Sequence, residues 1–150
     1  MHLARFLAQS PAARTAAASL REGAEVAITF TDIGGDWRIR PVDEVGPVLE
    51  QGKATDPDFA LRIAPGALRS ICARPDADIG DLGVSFFEQI VTRDPDSKIR
   101  VTVQSGLVKL TRRGWLTVLA RGGTQVVGWL AKKGLRGPGA VATALGRFKT

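Results

Sequence analysis

Apolar and polar residues alternate on both sides of Gly34-Gly35, through residues 26–40. A period of two marks a strand with one buried face, and a glycine pair tolerates the positive φ angles of a tight hairpin turn. With Gly34 and Gly35 as a two-residue loop, Ile33 faces Asp36 and Asp32 faces Trp37. Phe30 then lies opposite Ile39, Ile28 opposite Pro41, Thr31 opposite Arg38 and Thr29 opposite Arg40. Val26, Ile28, Phe30, Trp37 and Ile39 share one face and the threonines and arginines the other, so both strands agree on the buried side. Two further runs alternate. Residues 59–63 turn Phe59, Leu61 and Ile63 inward, and residues 98–104 turn Ile99, Val101 and Val103 inward. Residues 45–51 carry Gly46-Pro47, which argues against a helix and allows an edge strand at Val48-Leu49.

Between these strands the pattern changes to helical spacing. Ser10-Pro11 predicts a helix start, a capping hydroxyl followed by a proline whose missing N–H costs nothing in the first turn. An alanine-rich run to Arg21 favours the helix, and Gly23 is its expected stop. Leu3, Phe6 and Leu7 are expected in a separate turn packed on the body. Ala64-Pro65-Gly66 leads into a helix presenting Leu68, Ile71 and Cys72. Asp81 is the expected cap of a second helix carrying Val84, Phe86, Phe87, Ile90 and Val91, which ends at Arg93-Asp94-Pro95-Asp96 because the residue before proline avoids helical angles. Ser105 is expected to cap a helix holding Leu107, Val108, Leu110, Trp115, Val118 and Leu119, with Gly114 as its weak point. A short amphipathic helix over residues 124–133, ending in Lys132-Lys133, and a last helix over residues 140–148 complete the prediction. The fold class is α+β: a largely antiparallel sheet, one face buried under helices and the other wetter.

A chain of 150 residues suits one domain over residues 1–150. Its 44% hydrophobic and 24% charged residues match ordinary globular usage and exclude wholesale disorder. The densest apolar run, residues 115–120, is far below the ~20 residues of a membrane-spanning helix. The lone Cys72 excludes an internal disulfide and points to a reducing, cytoplasmic setting. The first acid is Glu22, and with Arg5 and Arg14 the start has a targeting-like composition, but an ordinary first helix is the expectation. Charge is lopsided: residues 97–150 hold eleven of the 21 Lys and Arg and no acid, whereas residues 1–96 carry net −5. Such asymmetry suggests that one region faces an anionic partner.

Residues with catalytic chemistry are scarce. The only histidine, His2, lies at the start, so a nucleophile with a positioned imidazole base is not expected. Cys72 shares a helical face with Leu68 and Ile71 and is expected to behave as a small buried hydrophobe. No Cys/His cluster offers a zinc site, and the acidic run from Asp76 has Phe87 where a calcium loop needs its bidentate glutamate. Neither a metal nor another cofactor is expected. Asp32, Asp36, Asp56, Asp58, Asp76, Asp78, Asp81, Asp94 and Asp96 are assigned to turns, which favour aspartate for local hydrogen bonds. No phosphate loop or dinucleotide fingerprint is present, and the expectation is a protein that is not an enzyme.

The order of pieces is more telling than any one of them. Trp37-Arg38-Ile39-Arg40 in a hairpin is followed by Asp58-Phe59-Ala60-Leu61-Arg62-Ile63 running into residues 65–71, then Phe86-Phe87, then the strand at residues 99–103. Over residues 26–104 this order resembles the sterol carrier protein two family of small lipid-holding domains. The strand at residues 98–105 lacks the family's glycine-aspartate ending, and residues 105–150 form a longer, more basic helical extension. The resemblance implies about five strands, mostly antiparallel, with helices on one face and an apolar cavity between the layers. It implies non-catalytic binding or transfer of a lipid, sterol, fatty-acyl or isoprenoid-like molecule. Phe30, Trp37, Ile39, Leu61, Leu68, Phe86, Phe87, Ile90 and Val101 are the expected lining. Lys109, Arg112, Arg113, Arg121, Lys132, Lys133 and Arg136 are the candidates for contact with an anionic membrane surface, with Trp115 and Trp129 at headgroup level. The competing class is a nucleic-acid- or protein-binding accessory module using the basic C-terminal region. Against it, the aromatic residues are not clustered with the basic ones as a stacking platform.

Overall fold

The computed structural model describes residues 2–121 and residue 132. Five strands form one sheet in the order β3-β2-β1-β4-β5. They are β1 (Val26–Phe30), β2 (Trp37–Val42), β3 (Gly46–Gln51), β4 (Phe59–Ile63) and β5 (Ile99–Val103). β1 and β4 run parallel and the other neighbours antiparallel, so the sheet is mixed but mostly antiparallel. The ambiguous segment around Gly46-Pro47 is indeed an edge strand.

The hairpin register differs from the expected one. Ile28 pairs with Trp37 and Val26 with Ile39, leaving residues 31–36 as the connection. The shift is four residues, an even number, so every side chain keeps its face. The longer loop moves Asp32 and Ile33 into solvent instead of setting Asp32 against Trp37. It also brings the Phe30 and Trp37 rings edge to face at 6.0 Å. Gly35 takes φ +95°, a conformation that favours glycine.

Helices α1 (His2–Gln9) and α2 (Pro11–Ala18) pack on β3. The expected N-terminal turn is thus a full helix that buries Leu3, Phe6 and Leu7. Ser10 caps α2, its hydroxyl accepting from the Ala13 N–H at 3.1 Å. α2 stops at Ala18, well before Gly23, with Ser19 as its C-cap. α3 (Pro65–Cys72) and α4 (Ile79–Val91) follow β4. Asp78, not Asp81, caps α4: the Asp81 N–H donates to the Asp78 side chain at 2.8 Å. A short turn at Pro95–Ser97 leads into β5.

The expected single helix from Ser105 is two, α5 (Leu107–Arg112) and α6 (Trp115–Arg121). Gly114 separates them at φ +89°, and a Cβ there would collide with the Ser19 carbonyl oxygen. Gly106 occupies the N-cap of α5, because the Ser105 hydroxyl is used elsewhere. The helices expected over residues 124–133 and 140–148 lie outside the described residues, apart from Lys132, which is helical and exposed.

One buried cluster joins the layers. Val26, Ile28, Phe30, Phe59, Ile63, Ile99 and Val103 of the sheet meet Leu3, Phe6 and Leu7 of α1, Ala13, Ala67, Phe87, Ile90 and Leu110. The opposite sheet face carries Thr29, Arg40, Arg62 and Arg100, all exposed. The expected division into a buried and a wetter face is therefore present.

Candidate functional site

Strand pairing sorts the apolar face into rows. At one end Ile39, Val26, Phe59 and Val103 lie side by side across the sheet. At the other end lie Phe30, Ile63 and Ile99. Between them runs a middle row of Trp37, Ile28, Leu61 and Val101. Phe59, Val103, Ile63 and Ile99 are buried, yet Leu61 and Val101, on the strand pair between them, are only half-buried. Ile28 in the same row is 1% exposed, so the partial exposure in this row falls on Leu61 and Val101 toward β5 and on Trp37 toward β3. Helices α3 and α4 hold Leu68, Ile71, Cys72, Leu82, Val84 and Phe86, also half-buried, against the same core.

Each residue expected to line a cavity can now be placed. Trp37, Leu61 and Val101 belong to the middle row and Ile39 to the row beside it. Leu68 and Phe86 come from α3 and α4. These six are half-buried. Phe30, Phe87 and Ile90 are at 2%, 7% and 6% exposure and belong to the closed core. Phe86 and Phe87, adjacent on α4, diverge as helical geometry requires and meet edge to face at 6.1 Å. Burial pushes the Cys72 thiol pKa up from its ordinary value.

Two buried side-chain polar atoms have no hydrogen-bond partner among the described residues: Trp37 Nε1 and Gln89 Oε1. Gln89 stands on the turn of α4 after Phe86 and is itself buried, its amide nitrogen donating to the Ser85 hydroxyl at 3.3 Å. Neither atom is foreshadowed in the sequence, because the loss of a partner depends on neighbours distant along the chain.

The second feature is a buried carboxylate. Asp58, assigned from sequence to a turn, is 0% exposed. Its Oδ1 accepts from the Ser105 hydroxyl at 2.6 Å and from Arg113 Nη1 at 2.7 Å. Its Oδ2 accepts from Trp115 Nε1 at 2.7 Å and from the Glu25 N–H at 3.3 Å. The Trp115 ring meets Phe59 edge to face at 4.9 Å. Both oxygens of the carboxylate are engaged twice, so its role is to hold the starts of β1 and β4 against α5 and α6. Asp56 beside it takes Lys109 on both oxygens at 2.7 Å and Arg113 Nη2 at 2.9 Å. The hydrogen bonds from Lys109 and then Arg113 hold the Asp56 carboxyl below its usual range. Burial alone would lower the Arg113 pKa, but its bonds to Asp56 and Asp58 outweigh that and raise it.

Of the residues considered for an anionic surface, Lys109 and Arg113 are thus committed to internal acids. Arg112 is exposed, and Arg121 is exposed with its Nε donating to the Ser19 hydroxyl at 2.6 Å. Lys132 is exposed, while Lys133, Arg136 and Trp129 lie outside the described residues. On the wet sheet face Glu50 receives Arg40 at 2.7 Å and Arg38 at 3.1 Å. The Arg40 hydrogen bond holds Glu50 below the usual carboxylate range against the opposing effect of burial, and the charges of Arg40 and Arg38 add to it.

A groove of about 720 Å³ lies between α2 and the β2–β3 turn, lined by Arg14, Arg21, Glu22, Arg40, Asp43 and Glu44 among others. It is charged and shares no residue with the apolar row. His2 is exposed on α1. Among the described residues no three His, Cys, Asp or Glu side chains are grouped to hold a metal ion, and no helix is long and apolar enough to cross a membrane.

No protein-family model matches the chain, and no curated protein does. Among solved structures it is similar to a protein named "UbiJ-SCP2 Ubiquinone synthesis protein". The two are 16% identical, the match covers 77% of this chain and 80% of the other, and the TM-score is 0.43.

Proposed function

We propose that the protein holds an apolar molecule of the lipid, sterol, fatty-acyl or isoprenoid kind, without covalent chemistry, between the middle of its sheet and helices α3 and α4. The observation that supports this is that Leu61 and Val101, paired across β4 and β5, stay only half-buried between the buried pairs Phe59–Val103 and Ile63–Ile99. Apolar area left open there gains ~25 cal/mol per Å² when a ligand covers it. Ile39, Leu68, Phe86 and Trp37 would complete the contact surface, with Phe30, Phe87 and Ile90 as its packed backing. Native mass spectrometry of the purified protein, followed by extraction, is the test. The expected result is an apolar adduct or, from an empty protein, uptake of a fluorescent fatty acid that Leu61→Gln weakens with little loss of stability. A protein that carries nothing and takes up no such probe refutes the proposal.

An anionic membrane surface is a second proposed partner, on one observation. Val108 and Leu107 of α5 are 79% and 52% exposed, and Arg112 is exposed on the next turn. Apolar side chains beside a cation suit a charged bilayer surface, each basic residue adding ~1 kcal/mol near it. Flotation with vesicles is expected to show binding that requires anionic lipid and falls in Val108→Glu; equal binding to neutral vesicles argues against it.

A further inference from the structure

We infer that Arg62 and Arg100, on the sheet face opposite the apolar site and independent of it, form a site for a doubly charged oxyanion, a phosphomonoester or diphosphate group. The two residues are direct cross-strand partners on β4 and β5. The Ala64 N–H donates to the Lys98 carbonyl and the Gln104 N–H to the Asp58 carbonyl, so the alternation of an antiparallel ladder makes 62 and 100 a hydrogen-bonded pair. Their side chains leave one face from Cβ atoms about 4.5–5.5 Å apart. Both are exposed, and neither has a side-chain hydrogen bond or ion pair among the described residues.

Like charges directly opposite each other destabilise a sheet, so a counter-charge brought from outside stabilises this pair. The face itself supplies none. Its strand residues include four arginines, Arg38, Arg40, Arg62 and Arg100, and one acid, Glu50. Glu50 is engaged by Arg38 and Arg40. It stands on β3, three strands from β4. At ~4.8 Å per strand that is about 14 Å, beyond the ~8–10 Å over which salt leaves charges visible to each other. The neighbours of the pair on this face, Thr29, Ala60 and Thr102, are small and uncharged, so both guanidinium groups can turn toward one ligand. Lys98, next along β5, spends its ammonium on the Ile90 and Thr92 carbonyls at the end of α4. One arginine fork matches two oxygens of a phosphate, and two forks match its double charge. A carboxylate has one charge and fills one fork.

The full chain is titrated with inorganic pyrophosphate, against sodium chloride at matched ionic strength, while its thermal midpoint is followed. A second arm compares flotation with vesicles of phosphatidic acid, a phosphomonoester, and of phosphatidylcholine, a phosphodiester. Pyrophosphate is expected to raise the wild-type midpoint more than chloride does. Arg62→Gln and Arg100→Gln should each weaken the response about tenfold, the factor for one charge-assisted hydrogen bond. The double variant should start at an equal or higher midpoint, because the repulsion is gone, and lose the response. Arg38→Gln, paired to Glu50 on the same face, should keep it. A response to pyrophosphate assigns a soluble phosphate; one confined to phosphatidic acid assigns a membrane-borne phosphate. If the double variant matches the wild type in both arms, whether both proteins respond or neither does, the inference is overturned and the apolar site is untouched. An equal loss in Arg38→Gln also overturns it. Should the double variant not fold, the two single variants give the same comparison.

Discussion

Replacing Asp58 by asparagine keeps the shape of the side chain and removes half of its acceptor capacity. In the native protein two donors converge on each oxygen, Ser105 and Arg113 on Oδ1, Trp115 and the Glu25 N–H on Oδ2. An amide offers one oxygen, so in either orientation two of these donors face an NH2 group. Hydrogen bonds to a charged group contribute roughly 1.5–3 kcal/mol each, and breaking one side of a buried ion pair costs roughly 3–5 kcal/mol. Asp58→Asn should therefore lose about 3–5 kcal/mol out of a total near 5–15 kcal/mol. With a urea slope of about 2 kcal/mol per M, the unfolding midpoint falls by about 2 M. Urea titration followed by tryptophan emission and far-ultraviolet circular dichroism measures this, and Trp115 reports directly on the lost contact. Ser105→Ala removes one donor and should cost about 1.5 kcal/mol. Asp56→Asn, at an exposed carboxylate, should move the midpoint far less. If Asp58→Asn unfolds within about 0.3 M of the wild type, at the same slope, the carboxylate does not hold the layers together.

Acid should weaken the fold through Glu50 and Asp56. Both pKa values are depressed in the folded state, so their contribution is complete above the ordinary values of 4.5 and 3.8 and is lost as pH falls through the folded values. Thermal melting between pH 6 and about pH 3 should show this decline, and the double variant Glu50→Gln with Asp56→Asn should flatten it. Gly114→Ala should destabilise by more than the roughly 1–2 kcal/mol of a positive φ, because its methyl group meets the Ser19 carbonyl; a loss within that range would show that α6 can shift. Cys72, whose thiol pKa burial raises, should react with iodoacetamide more slowly than free cysteine at pH 8, and a bound apolar probe should slow it further. A rate equal to that of free cysteine would contradict its burial.

Much of this fold follows from local pattern. Alternation at β1, β2, β4 and β5 and helical spacing at Leu68 to Cys72 and Phe86 to Ile90 are set by which side of each segment must leave water, and that is written in the order of residues. The same logic divided the sheet into an apolar and a basic face, and it survived a four-residue error in the hairpin register because sidedness depends only on parity. What the chain's order left open was every choice made between distant residues. Asp58 reads as a turn residue until Ser105, Arg113 and Trp115 arrive from 47 to 57 positions away. Ser105 reads as a cap until Asp58 takes its hydroxyl and Gly106 starts the helix. Gly114 reads as a weak spot inside one helix until the Ser19 carbonyl shows why two helices must part there. Whether Leu61 and Val101 are packed or open, and whether the Trp37 N–H has a partner, depends on how closely α3 and α4 approach the sheet. Hydrophobic periodicity says which face is buried, but close packing and hydrogen-bond pairing are settled only when the layers meet.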